Sequence, residues 1–155
     1  KGAGQVMGRR SQRIGKRFEE SIELEDHGWP VLFKVPTERT KAGKETKKRW
    51  LDFAGCLPGG RFLTFDAKWI GVTDRVQRST LKPHQRAWAD EALAAGGVVF
   101  VYVGAVDAQG QLGRYIVPWA RLREVGSALL EPWRVEGLSE LSLFEDEFDD
   151  LEVAR

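Results

Sequence analysis

The chain contains no asparagine, one cysteine, one methionine and two histidines among its 155 residues. The single Cys56 can form no internal disulfide, and with so few sulfur and nitrogen donors a four-ligand structural zinc site cannot be assembled. Any metal would have to be held by carboxylates. Asparagine, cysteine and methionine are also depleted in heat-adapted proteins, although a GC-rich genome biases composition the same way. Equally absent is any apolar run approaching the roughly 18 to 20 residues that span a bilayer. The basic start, Lys1 to Arg17, is not followed by the apolar stretch of about 7 to 15 residues that a secretory signal carries. These absences argue against a membrane partner and predict a cytoplasmic protein.

What is present is ordinary globular usage, 42% hydrophobic and 30% charged residues in 17.5 kDa, a size that predicts one domain over residues 1–155. The net charge of +1 hides a gradient. Up to Trp88 there are 19 Lys/Arg against 10 Asp/Glu, and from Ala89 onward 5 against 13. A basic portion of this strength suits a polyanion, nucleic acid first, and an ordinary solvated surface is the alternative.

From Ser11, the apolar residues Ile14, Phe18 and Ile22 recur four apart, which predicts a first helix with Gly28 as the residue that ends it. Its basic residues come early and its acidic ones late, against the preference of the helix dipole. Pro30 to Val35 predicts a short buried strand. Residues 36–49 (PTERTKAGKETKKR) are polar and basic without periodicity, which predicts a mobile loop or extended arm. WLDFAGCL and RFLTFDAKW flank Pro58-Gly59-Gly60 and predict a β-hairpin. Alternation puts Phe62, Thr64, Asp66 and Lys68 on one face of its second strand. Asp52 falls among apolar neighbours, so it should be paired, metal-bound or at a wet strand end. PHQRAWADEALAAGG predicts a second helix with Pro83 in its first turn. VVFVYVGAV (98–106) predicts a central strand covered on both faces, LGRYIV another strand, and PWARLREVG a short helix. From about residue 138 to 155 the chain reads as an acidic tail with sparse apolar anchors, Leu141, Leu143, Phe144, Phe148 and Leu151. The element order predicts an α/β fold with a mixed sheet flanked by helices.

The informative constellation is Asp52, then Asp66-Ala67-Lys68 with thirteen residues between, preceded by Glu19 on the first helix. Two carboxylates on neighbouring hairpin strands can converge on a divalent ion with a lysine beside them. Such a set suits phosphodiester hydrolysis, because Mg²⁺ polarises the scissile phosphate and acidifies a bound water while the ammonium orients that water or offsets developing charge. A strand-end ion pair is the plainer alternative.

LDF at Leu51 to Phe53 and DAK at Asp66 to Lys68 resemble the two motifs of the PD-(D/E)xK nuclease superfamily, with Leu51 where the first motif has proline. Within it the chain resembles Holliday-junction resolvases of the RecU and archaeal Hjc type, over about Gly15 to Gly104. GKRFEE at Gly15 to Glu20 resembles the family's helix with a glycine four residues before its glutamate, which selects Glu19. FDAKW resembles its acid-x-Lys strand, and PHQRAWADEALAAGGVVFVYV its third block. The resemblance implies a restriction-endonuclease-like fold and a homodimer. It implies a magnesium-dependent endonuclease, with Mn²⁺ substituting, that binds branched DNA and resolves four-way junctions by paired nicks. It places the metal at Glu19, Asp52, Asp66 and Ala67, with Lys68 as the further catalytic residue.

DNA contacts would come from Arg13, Gly15, Lys16 and Arg17, with glycine admitting the backbone close to DNA, from Lys44, Lys47, Lys48 and Arg49, and from His84 and Gln85. Solvated charge at the basic residues and a helix-start polar pair at His84-Gln85 are the alternatives. Most of the six tryptophans are read as core or dimer contacts, with a base-unstacking wedge as the other use. Recombination or phage genome processing is the expected setting. A repair nuclease of the same superfamily acting on flaps or ends, and a catalytically inert nucleic-acid-binding module, remain rivals. The inert module has to explain why acids that repel phosphate would cluster on its binding surface.

Overall fold

The structure, a computed structural model, describes residues 2–36 and 50–149. Its core is a mixed six-stranded sheet in the order β1-β2-β3-β5-β6-β8. The strands are β1 (Val31–Lys34), β2 (Phe53–Cys56), β3 (Phe62–Val72), β5 (Val98–Val106), β6 (Leu112–Pro118) and β8 (Arg134–Val135). A small two-stranded ribbon pairs β4 (Arg75–Gln77) with β7 (Ser127–Leu129). Helix α1 (Gly2–Glu23) covers one face of the main sheet, and α2 (Pro83–Ala94) and α3 (Trp119–Val125) pack against the other. This is the expected α/β architecture with a mixed sheet between helices, and it is consistent with a restriction-endonuclease-like fold.

The expected hairpin is β2–β3, joined through Pro58-Gly59-Gly60. Both glycines have positive φ (93° and 88°), which a side chain would strain. Its register pairs Phe53 with Phe65, and that pair stacks with ring centroids 4.9 Å apart. Phe65 stacks in turn on Phe100 of the adjacent parallel strand at 4.6 Å. Because a slip of one residue would turn every side chain to the opposite face, this aromatic row fixes where Asp52 stands relative to Asp66. Strand β5 is buried along almost its whole length, as its β-branched run predicts.

Helix α1 docks through Phe18 and Ile22, both buried. Phe18 sits so close to β5 that a Cβ on Gly104 would lie 3.0 Å from its ring. That missing side chain brings α1, and with it Glu19, down onto the sheet.

Several expectations are corrected. The first helix starts at Gly2 instead of Ser11 and ends at Glu23, so Gly28, with φ +76°, belongs to the loop beyond and does not end the helix. Strand β1 is not buried: it is the outer strand of the sheet, and Val31, Phe33 and Lys34 are exposed. The segment from Leu138 is not a free acidic tail. It forms a 3-10 stretch over Leu138–Glu147 and buries Leu138, Leu141 and Phe148 against the α1-side core. Of its other anchors Phe144 is partly buried, Leu143 is exposed, and Leu151 lies outside the described residues. Among the tryptophans, Trp119 is core, its indole N–H donating to Asp90 at 2.8 Å. Among the described residues, no helix is long and apolar enough to cross a membrane.

Candidate active site

The last residue pair of the β2–β3 ladder is Phe53 with Phe65, whereas β3 runs on to Val72. Past Phe65 the ladder therefore stops on the β2 side. Asp52, half-buried, stands immediately before β2 at that point. Its backbone N–H donates to Asp66 Oδ1 at 3.0 Å, and its own Oδ2 accepts the Ala67 N–H at 3.3 Å. This reciprocal clasp replaces the missing ladder bonds and fixes the two acids side by side. On the far side Asp52 O accepts the Val35 N–H at 2.7 Å, which ties in the end of β1.

Asp66 is completely buried. Its Oδ1 also accepts the Gln85 carboxamide at 3.4 Å from the α2 layer. Its Oδ2 accepts no hydrogen bond of good geometry, yet the Lys68 ammonium stands 2.9 Å away as a contact ion pair. From the opposite layer comes Glu19, which pairs with Lys34 at 3.6 Å and carries a direct charge interaction with Asp52. The alternation expected for β3 thus holds, with Asp66 and Lys68 on one face.

Electrostatics mark this cluster as overloaded with negative charge. Burial first, then the neighbouring Asp52 carboxylate, pushes Asp66 up to about 7, with Lys68 pulling the other way. Burial and then Asp52 also raise Glu19, partly offset by Lys34. For Lys68 burial would lower the ammonium's pKa, but Asp66, Asp52 and Glu19 together outweigh it and the net direction is up. The lysine is therefore held charged, and Asp66 is the acid whose proton is held up to about neutral pH.

Among the described residues no three His, Cys, Asp or Glu side chains are gathered into a ready-made metal site. The Lys68 and Lys34 ammonium groups stand beside the acid oxygens where a divalent ion would be held. In donor chemistry the acids fit a hard cation, which takes oxygen ligands only. The buried Asp66 Oδ2 already faces the Lys68 ammonium at 2.9 Å, so a metal ion there would have to share this oxygen with the lysine.

No family model matches the chain, and no curated protein matches it.

Of the expected site residues, Glu19, Asp52, Asp66, Ala67 and Lys68 come together as described. Arg13, Lys16 and Arg17 are exposed on α1, with Arg10, Arg13, Ile14 and Arg17 lining a shallow groove. Gly15 is half-buried, and a Cβ there would meet Trp69 at an ordinary 3.8 Å. Gln85 is buried and has no free edge for a phosphate. Its carbonyl accepts the Lys82 N–H at 2.9 Å while its amide reaches Asp66, so it supports the acid. His84 is half-buried beside it in the first turn of α2. Lys44, Lys47, Lys48 and Arg49 lie outside the described residues.

Two participants escape a reading of the sequence alone. Lys34 reaches Glu19 because β1 lies beside β2, a pairing no local pattern announces. The placement of Trp50 against Trp88, with ring centroids 4.3 Å apart, has no sequence signal beyond the residue types themselves.

Proposed function

We propose that the protein is a metal-dependent structure-selective DNA endonuclease of the Holliday-junction resolvase kind, acting as a homodimer that nicks opposed strands of a four-way junction. The observation that carries this reading is the buried Asp66, clasped to Asp52 and ion-paired with Lys68 where the hairpin ladder ends. Acids so placed would repel a phosphodiester unless a cation stood between them.

Glu19, Asp52 and Asp66 would hold Mg²⁺ or Mn²⁺, with the Ala67 backbone alongside. Bound there, the ion supplies Lewis-acid polarisation of the phosphate and a more acidic water. The chain's own contribution is positioning. Gln85 and the Asp52 N–H fix the Asp66 carboxylate, so that its rotamer is set before substrate arrives. Lys68 keeps its proton and offers it as a hydrogen-bond donor to the attacking water or to a phosphoryl oxygen as charge builds. The exposed Arg13, Lys16 and Arg17 provide the phosphate contacts that position the substrate without reading its sequence.

A second reading, an inert nucleic-acid-binding module, is favoured by the lysines that already neutralise part of the acid cluster. An end-labelled immobile four-way junction, a flap and a matched duplex, each incubated with Mg²⁺ or with EDTA, separate the readings on a denaturing gel. Paired symmetric nicks in the junction alone, lost in EDTA, are the expected result. Preferential flap or end cleavage moves the substrate to the repair class. Binding without scission under every metal favours the inert module.

A further inference from the structure

Beside the acid cluster lies an aromatic pair that the chemistry above leaves unused. Trp50 precedes Asp52 by two residues, which limits their Cα separation to roughly 7 Å. Its ring sits on Trp88 at 4.3 Å between centroids with the planes 33° apart, and the residue stays 41% exposed. Trp88 lies on α2 three residues after Gln85, so the two share a helix face, and Gln85 is the residue that reaches Asp66. The pair and the acids are therefore held by the same two elements.

Trp88 is also costly in its place. Its indole N–H is sealed from solvent with no acceptor among the described residues, which a leucine of similar reach would avoid. The fold keeps a flat aromatic ring under Trp50 all the same. The two indoles are tilted 33° to each other and make no single plane, but the exposed Trp50 ring braced on Trp88 is itself a flat, apolar surface, and every nucleobase has a face that matches one. The exposed Lys82 opens the same helix and supplies positive charge for a strand leading to that surface.

We infer that Trp50, backed by Trp88, is a stacking platform for an unpaired nucleobase adjacent to the phosphodiester at Asp52 and Asp66. The inference rests on the nuclease reading and deepens it, because it selects substrates in which a base near the scissile bond is free to leave its stack. A base at a branch point and a base in a single-stranded flap both meet that requirement.

The test uses the full chain and DNA carrying one 2-aminopurine, stepped through the positions around a junction branch point and along a flap, with Ca²⁺ to keep strands intact. Stacking on indole quenches this base. The expected result is one position quenched several-fold with wild-type protein and with Trp50→Phe but not with Trp50→Ala, in the junction series, the flap series or both. Which series responds identifies the source of the base. An abasic site at that position should weaken wild-type binding by about tenfold and leave Trp50→Ala unchanged. Equal quenching with all three proteins overturns the inference, as does an abasic penalty that persists in Trp50→Ala. A Trp50→Ala protein that dissociates from dimer to monomer by sedimentation also overturns it, by assigning the ring to a second copy. Junction cleavage in Mg²⁺ is scored in parallel. Cleavage without any Trp50-dependent position defeats the platform alone, whereas a wild type that neither cuts nor binds DNA defeats the nuclease reading with it.

Discussion

Two carboxylates sit within the folded chain, Glu25 just past the end of α1 and Asp66 within β3, and their surroundings differ in kind. Glu25 accepts the Tyr102 hydroxyl (3.0 Å), the Arg114 guanidinium (3.1 Å) and the Leu138 N–H (2.8 Å), and Arg114 also donates to Ser21 at 3.0 Å. Burial and the Glu25 charge raise Tyr102, so its hydroxyl remains a donor. One negative charge meets one positive charge and two neutral donors. Around Asp66, by contrast, three acids share two lysines among the described residues, Lys34 with Glu19 and Lys68 with Asp66. The first cluster is complete as it stands and joins α1, the sheet and the C-terminal segment. The second gathers more acids than cations among the described residues and raises the pKa of Asp66 and Glu19, as clusters at functional sites do.

Substitution should therefore split stability from activity in opposite directions at the two places. The largest effect expected is at Asp66→Asn. Strand cleavage falls to background on a denaturing gel, while junction binding and thermal stability stay at wild type or better, because removing one of three crowded charges relieves repulsion. Retained cleavage would end the assignment of Asp66 to the chemistry. At Glu25→Ala the pattern inverts: Arg114 loses its partner and the Leu138 N–H its acceptor, costing about 2–3 kcal/mol in urea unfolding. Cleavage per folded molecule is retained at low temperature. Gly104→Ala forces Phe18 away from β5 and should cost about 1–3 kcal/mol, with a drop in activity as Glu19 moves with its helix.

The pH response sharpens the contrast further. Asp66 rises from an ordinary 3.8 to about 7 in the folded state, so the folded chain binds the proton more tightly than the unfolded one. Its contribution to stability is full below about pH 4 and is lost as pH rises through about 7. In EDTA, the thermal midpoint of wild type should fall over that window relative to Asp66→Asn. Adding Mg²⁺ at pH 7.5 should restore it in wild type and leave the variant unmoved; identical pH profiles would show the cluster is not overloaded. The smallest effect is expected at Lys34→Ala. Its half-exposed pair with Glu19 is worth no more than about 1 kcal/mol, and the informative readout is a shift in the Mg²⁺ concentration needed for half-maximal cleavage.

Much of this arrangement was legible in the residues, and the gaps have physical causes. The β2–β3 hairpin, the facing of Asp66 and Lys68, the α2 boundaries and the buried β5 all follow from patterns that close within a few residues: a turn tripeptide, alternation, a helix-opening proline, a β-branched run. The misplaced features depend on what packs from far away. Residues 30–35 look apolar enough to be buried, yet nothing in that segment states that it ends up at the sheet's margin. Residues 138–148 look like an acidic tail because their apolar anchors are sparse, and only the α1-side core makes Leu138, Leu141 and Phe148 sufficient. Gln85 reads as a surface polar residue at a helix start, and becomes a support for Asp66 only once α2 lies against β3. Glu19 was selected by spacing from Gly15, but the reason it works is Gly104, on a strand about ninety residues further along.

The hydrogen bond from the Leu138 N–H to Glu25 spans 113 residues. A chain growing from its N-terminus makes Glu19, Asp52, Asp66 and Lys68 early. The contacts that seat the helix bearing Glu19 await Gly104, then Arg114, then Leu138 and Phe148. During synthesis the acids and the lysine of the cluster are therefore present long before they are held in register. A nascent or prematurely terminated chain then carries these residues without the frame that holds them together, so any activity of the cluster would wait for the last third of the chain.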